Sequence, residues 1–181
     1  MRVWRVHWEE RLLRELDDLE LQAEGLHLAE RDATVAELSQ STYAEVALVD
    51  RLHASVGLPV TLVLSGGTVV EGVVSRAGRD WLALVQGRVE YVARLGAVVR
   101  VRGASARAVA EEARGVTAKL GLGSVLRQVA RDGRQVALTG TDGLVLRGSV
   151  RRVGRDFLEL ELEGGGVELL GFGGLAVLRL A

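Results

Sequence analysis

The chain of 181 residues contains no cysteine, one proline and one lysine, and only 4% of its residues are aromatic. The absence of cysteine excludes disulfide bonds, thiol catalysis and thiolate metal sites. The longest apolar runs are about five residues, whereas a helix needs roughly 20 to cross a bilayer. The N-terminus turns acidic where a signal peptide would be apolar, so we expect no export signal. These absences favour a folded cytoplasmic protein.

The most informative feature that is present is an internal repeat. Residues 60–85 and 136–161 align without a gap at an offset of 76 positions, and 12 of the 26 aligned residues are identical. Both copies contain Gly-Arg-Asp followed by an aromatic residue, at positions 78–81 and 154–157. A repeat of this quality indicates two small domains with the same fold.

The pattern within each repeat is that of short antiparallel strands, because apolar and polar side chains alternate between glycine-rich turns. Gly72 lies inside the predicted second strand, where a glycine usually marks a bulge or a sharp bend. Short helices are predicted ahead of each repeat. The predicted strands span residues 60–64, 68–76, 80–85, 89–94 and 98–101 in the first repeat, and 135–139, 144–152, 156–162, 167–170 and 176–180 in the second.

The N-terminal part has helical periodicity instead. Between about residues 8 and 38 the apolar side chains follow steps of three and four, as on a coiled-coil seam. Thr42 and Glu45 have the spacing of a capping box that opens a second helix, to about residue 55. The residues that form the predicted assembly seam are Leu12, Leu16, Leu19, Ala23 and Leu26.

The repeat resembles the Sm-like fold of Sm, LSm and Hfq proteins. The resemblance rests on the leading apolar alternation, Gly67 at the first hairpin, Gly72 in the second strand, and 89–94 with 98–101 as the closing pair. It implies an α+β fold class, with an N-terminal helical hairpin followed by two tandem five-stranded Sm-like or SH3-like antiparallel β-barrels. The implied domains are a helical extension (1–47), a first barrel with its leading helix (48–103), a linker (104–123) and a second barrel with its leading helix (124–181).

Charge favours a nucleic-acid partner for part of the chain. Residues 1–50 hold 5 Arg against 12 acidic residues, whereas residues 51–181 hold 18 basic against 12 acidic residues. Pairs of arginines beside an aromatic residue suit phosphate and base contacts. The leading hypothesis is therefore a non-enzymatic tandem Sm-like protein that binds nucleic acid, with RNA as partner. Its candidate binding residues are Arg76, Arg79, Trp81, Arg152 and Arg155.

Three observations keep other interpretations open. The Asn that follows the loop aromatic in uridine-binding Sm proteins is absent from both copies, and the arginines and aromatics are also consistent with turn ion pairs and core packing. The second repeat (133–181) also balances 6 Arg against 6 acidic residues. The alternative hypothesis is a protein-protein assembly module, a homo-oligomer joined through barrel edge strands and the N-terminal seam. In this alternative the two barrels pair with each other or with barrels of other chains.

The sequence contains no pattern of an enzyme or a metal protein. The three histidines, His7, His27 and His53, lack the spacing of metal ligands. There is no phosphate-binding loop and no arrangement of nucleophile and base. We expect no catalytic residue, no metal and no cofactor.

Overall fold

The computed structural model describes residues 43–180, and the chain divides into two units, Met1–Val46 and Ala47–Ala181. Both repeats lie in the second unit. The predicted first helix and the seam Leu12, Leu16, Leu19, Ala23 and Leu26 lie outside the described residues.

Ten strands, two α-helices and five short 3-10 helices build this unit, and each strand lies within about one residue of its predicted span. The α-helices are α1 (Leu48–His53) and α2 (Leu122–Asp132). The strands of the first repeat are β1 (Pro59–Leu64), β2 (Val69–Ala77), β3 (Trp81–Gln86), β4 (Val89–Arg94) and β5 (Val98–Arg102). Those of the second are β6 (Gln135–Gly140), β7 (Val145–Val153), β8 (Phe157–Leu162), β9 (Val167–Gly171) and β10 (Leu175–Leu180).

All ten strands belong to one antiparallel sheet, in the order β5-β1-β2-β3-β4-β10-β6-β7-β8-β9. Each repeat therefore contributes five strands in the same order, with its fifth strand beside its first. The repeats meet where β4 pairs with β10, with Tyr91 opposite Arg179 and Val92 opposite Leu178. We call this pairing the internal junction. The strands at the two ends of the sheet are β5 and β9.

The predicted fold class, a helical hairpin followed by two closed barrels, is wrong. Barrel closure required 89–94 and 98–101 to act as a closing pair, but β4 pairs with β10 of the other repeat and leaves β5 at the edge of an open sheet. The predicted second helix of the hairpin is also wrong, because α1 begins at Leu48 and has only six residues. Within residues 43–180, α2 is the single helix longer than that.

The two repeats share their register in detail. Strand β2 has a bulge between Val74 and Arg76, and β7 has one between Val150 and Arg152. The bulge thus falls beyond Gly72, the position at which the sequence predicts it. Gly72 serves close packing instead, since a Cβ there would lie 2.8 Å from the carbonyl oxygen of Val85.

The cores of the two repeats interpenetrate at the internal junction. The first cluster of buried side chains includes Ala176 and Val177 of β10. The second includes Trp81, Ala83 and Val92 from β3 and β4. Neither core is complete without side chains from the other repeat, so the internal junction is part of both hydrophobic cores.

Candidate functional site

The repeated Gly-Arg-Asp-aromatic segment of the first repeat organises the connection between the repeats. A Cβ at Gly78 would overlap the indole of Trp81, so the glycine makes room for the ring. The Trp81 side chain is only 4% exposed, and its Nε1 donates a hydrogen bond of 2.9 Å to the carbonyl of Leu120. This aromatic therefore anchors the linker, and its face is covered in the described fold.

The neighbouring residues of the same loop hold the start of α2. The carboxylate of Asp80 accepts a hydrogen bond of 2.7 Å from the backbone N–H of Leu122. The backbone N–H of Arg79 donates to the carbonyl of Leu120 at 3.2 Å. Because the first N–H groups of a helix have no partner within the helix, Asp80 acts as a capping acceptor supplied from the other repeat.

The equivalent loop of the second repeat is exposed. Gly154 makes room for Phe157 as Gly78 does for Trp81, but the Phe157 side chain is 37% exposed. In the part of the chain that the structure describes, the carboxylate of exposed Asp156 has no hydrogen-bond or ion-pair partner. The loop thus contacts the linker and α2 in the first repeat, whereas its copy in the second repeat is exposed.

The predicted arginines fall into two equivalent sets, one in each repeat. Arg76 Nη2 forms an ion pair of 2.6 Å with Glu90 Oε1, and Arg152 Nε forms one of 2.7 Å with Glu159 Oε2. The hydrogen bond and the charge of Glu159 raise the pKa of Arg152 above its usual value. Arg155 is exposed, as Arg76 and Arg152 are, but it has no ion-pair partner among the described residues. Both bulge arginines are thus engaged with carboxylates of the same repeat: Arg152 with a residue directly opposite on the neighbouring strand β8, and Arg76 with a residue of β4, one strand further away.

The sheet edges carry the residues that the sequence interpretation missed. Glu159 and Ala83 are equivalent at the repeat offset of 76. Leu169 on β9 lies opposite Glu159, and Val92 on β4 lies opposite Ala83, so Leu169 and Val92 are equivalent. Val92 is fully buried in the internal junction, whereas Leu169 is 70% exposed. The position that is buried on β4, where β10 pairs with it, is therefore exposed on β9.

The β5 edge shows the same contrast. Val99 is the extra residue of a bulge in β5, and Ala176 is the extra residue of the equivalent bulge in β10. Ala176 is fully buried in the internal junction, and Val99 is 62% exposed. A comparison of the repeats beyond residue 85 requires an offset of 77 instead of 76, and this one-residue insertion hid the equivalence in the sequence.

The two edges carry charges of opposite sign. Arg100 and Arg102 lie on β5, Glu168 lies on β9, and all three are exposed. Within residues 43–180 none of the three has an ion-pair or side-chain hydrogen-bond partner. Charges on edge strands commonly protect against non-specific pairing, but here the signs of the two edges are complementary.

One contact of the internal junction has no counterpart at the outer edge. Arg94, at the end of β4, donates hydrogen bonds to the carbonyls of Leu175 at 2.8 Å and Gly173 at 2.9 Å. The equivalent residue at the end of β9 is Gly171, since it lies opposite Phe157 as Arg94 lies opposite Trp81. The internal junction is therefore held by a guanidinium group that the outer edge lacks.

A cavity of about 620 Å³ lies beside the internal junction. Its polar groups satisfy one another, as in the pairs Arg76–Glu90 and Gln128–Asp132. The exception is His53 Nε2, which is buried and has no hydrogen-bond partner among the described residues. Burial, followed by the charge of Arg114, lowers the pKa of His53 from its ordinary value of 6.5. A single imidazole nitrogen does not make a convergent ligand site.

Within residues 43–180 no three His, Cys, Asp or Glu side chains come together as metal ligands. The helices of that same part of the chain are too short or too polar to cross a membrane. No protein-family model matches the chain, and a comparison with curated proteins finds no significant relative.

Proposed function

We propose that this chain is a non-enzymatic assembly module, whose sheet extends into further copies of the chain through its two open edges. The proposal includes a relationship to Sm-like proteins, whose fourth and fifth strands remain free to pair with neighbours. The observation that carries it is the contrast between Val92, buried where the repeats meet, and its equivalent Leu169, which is 70% exposed on β9.

Three features support this function. The internal junction joins a fourth strand to a fifth strand, and the two edges that remain are again a fifth strand, β5, and a fourth strand, β9. Unpaired strand edges are templates for strand addition, in which main-chain hydrogen bonds provide affinity. Leu169 on β9 and Val99 on β5 are exposed apolar side chains at positions that are buried at the internal junction. One chain thus has both halves of a head-to-tail interface.

The test is the molar mass of the protein by light scattering over a range of concentrations. We expect oligomers, and we expect Leu169→Lys to shift them to the monomer, because a lysine on an edge strand opposes pairing. Leu144→Lys is the matched control, since Leu144 is exposed to a similar degree, 66% against 70%, but lies in the turn between β6 and β7. A wild-type protein that stays monomeric at every concentration would contradict the proposal.

Nucleic-acid binding through Arg76, Arg79, Trp81, Arg152 and Arg155 remains a prediction with less support. Two of these arginines are engaged with glutamates, and the indole of Trp81 is covered. The ratio of absorbance at 260 and 280 nm of the native protein in low salt tests this alternative. Bound nucleic acid that is removed by high salt would favour it over assembly alone. A cytoplasmic location likewise remains a prediction.

A further inference from the structure

We infer that β9 of one copy pairs with β5 of the next copy in the register of the internal junction, and that Glu168 thereby lies opposite Arg102. This inference rests on the proposed assembly function. It specifies the partner as a second copy of the chain, the residues that meet, and the charge pair that selects the register.

The register follows from the equivalence of the repeats. Leu160 and Leu84 are equivalent at the repeat offset of 76. Glu168 lies opposite Leu160 and Tyr91 lies opposite Leu84, so Glu168 is the equivalent of Tyr91. Arg102 lies opposite Thr61 as Arg179 lies opposite Ala137.

At the internal junction Tyr91 lies opposite Arg179 and Val92 lies opposite Leu178. The same pairing at the outer edges therefore places Glu168 opposite Arg102 and Leu169 opposite Val101.

Charge favours this register over one that is shifted by a single residue. In an antiparallel pair, side chains directly opposite each other and those displaced by two residues share one face of the sheet. Glu168 would therefore have Arg102 directly opposite and Arg100 on the diagonal. A shift by one residue moves the carboxylate to the other face, away from both arginines. The three charges are exposed and unpaired among the described residues, so their pairing costs little desolvation.

The outer interface is also more polar than the internal junction. Ala93 opposite Val177 at the internal junction corresponds to Leu170 opposite Arg100 at the outer edges. The outer edge also lacks a guanidinium equivalent to that of Arg94. The pairing between copies is therefore weaker than the internal junction and more sensitive to salt, since exposed ion pairs are screened. Because each chain contributes two repeats, a closed ring contains an even number of repeats.

Disulfide trapping tests the register directly, because the chain has no cysteine of its own. We expect Leu169→Cys combined with Val101→Cys to form inter-chain disulfides under mild oxidation, seen as a ladder on a non-reducing denaturing gel. The matched control is Leu169→Cys combined with Val99→Cys, which leaves every charge in place. In the inferred register Val99 lies two residues away from the position opposite Leu169. The Cα atoms of the two cysteines would then be farther apart than the roughly 7 Å that a disulfide can bridge.

Charge exchange is the second measurement. We expect Glu168→Arg and Arg102→Glu each to weaken self-association about tenfold by light scattering, and the double variant to recover most of it. If the wild type is oligomeric, two results would overturn the register and leave the assembly function standing. One is that the Val99 control pair forms cross-links as well as the Val101 pair does. The other is that the double charge exchange fails to restore self-association. A monomeric wild type would overturn both, and the edge charges would then be protective only.

Discussion

The indole N–H of Trp81 donates a hydrogen bond of 2.9 Å to the carbonyl of Leu120, and this bond ties the first repeat to the segment that leads into the second. The next residues along that segment begin α2, whose first residue, Leu122, donates its backbone N–H to the carboxylate of Asp80. In the first repeat this loop is thus a connector to the second repeat. Its second copy lies beside the open β9 edge, where Phe157 pairs with Gly171.

We expect Trp81→Phe to lower the free energy of unfolding by about 1–2 kcal/mol, because the hydrogen bond of a buried donor is lost and the smaller phenyl ring fills only part of the space of the indole. The carbonyl of Leu120 keeps the N–H of Arg79 as a second donor, so the loss stays small. Urea denaturation measures it. We expect Trp81→Ala to cost about 3–5 kcal/mol on the same scale, since it also leaves a cavity. A Trp81→Phe variant as stable as the wild type would mean that the hydrogen bond is not a stabilising contact.

The two equivalent aspartates give a matched pair of variants. We expect Asp80→Ala to destabilise the fold by about 1 kcal/mol, because it removes the capping acceptor for α2. Asp156→Ala should change the free energy of unfolding by less than about 0.5 kcal/mol, because its carboxylate has no partner among the described residues. Both are measured at a protein concentration where self-association is absent. Equal losses in the two variants would show that the capping contact with Leu122 is not what matters.

Which strands exist could be predicted from the sequence, but which strands pair could not. Alternation along a strand determines which side chains are buried, and the turn glycines determine where each strand ends. Strand β4, however, has two candidate partners, β5 and β10, with the same alternation because they are copies of each other. The choice depends on which repeat supplies the missing core side chains, such as Val177 against Ala93. A pattern within one repeat contains no information about that choice.

The candidate site was only partly predictable for a similar reason. The repeated Arg79, Asp80 and Trp81 are conspicuous in the sequence, and the glycine before them correctly indicates a turn. Their contacts lie with Leu120 and Leu122, in a linker that has no repeat of its own and no strong pattern. Edge residues such as Leu169 are ordinary strand residues in the sequence. They become informative only when the structure shows that an equivalent residue is buried.

We expect Gly78→Ala to destabilise the protein by about 1–3 kcal/mol, because the added methyl group would overlap the indole of Trp81 and force the ring or the loop to move. Gly115→Ala is the control, since a Cβ at Gly115 would have no heavy atom within 4 Å. Thermal denaturation compares the two variants. The effects of Gly78→Ala and Trp81→Ala should combine less than additively, because the smaller side chain removes the overlap. Full additivity would contradict the proposed steric cause.

The stability of the fold should fall in mild acid because of His53. Its pKa is lowered in the folded protein, chiefly by burial and then by the charge of Arg114. Below the ordinary value of 6.5 the unfolded chain therefore binds more protons at this site than the folded chain. The contribution is complete above that value and is lost as the pH falls through the lowered pKa of the folded state.

We expect His53→Gln, whose side chain does not titrate, to reduce the loss of stability between pH 7.5 and pH 5.5. The measurement is the urea midpoint of wild type and variant at both pH values. Carboxylates that begin to titrate in this range contribute equally to both proteins, so the difference between the two losses isolates His53. Asp50 acts in the opposite direction, since its charge raises the pKa of the imidazole, and it is present in both proteins. If the wild type and His53→Gln lose the same stability on acidification, the imidazole of His53 is not the group that makes this fold sensitive to acid.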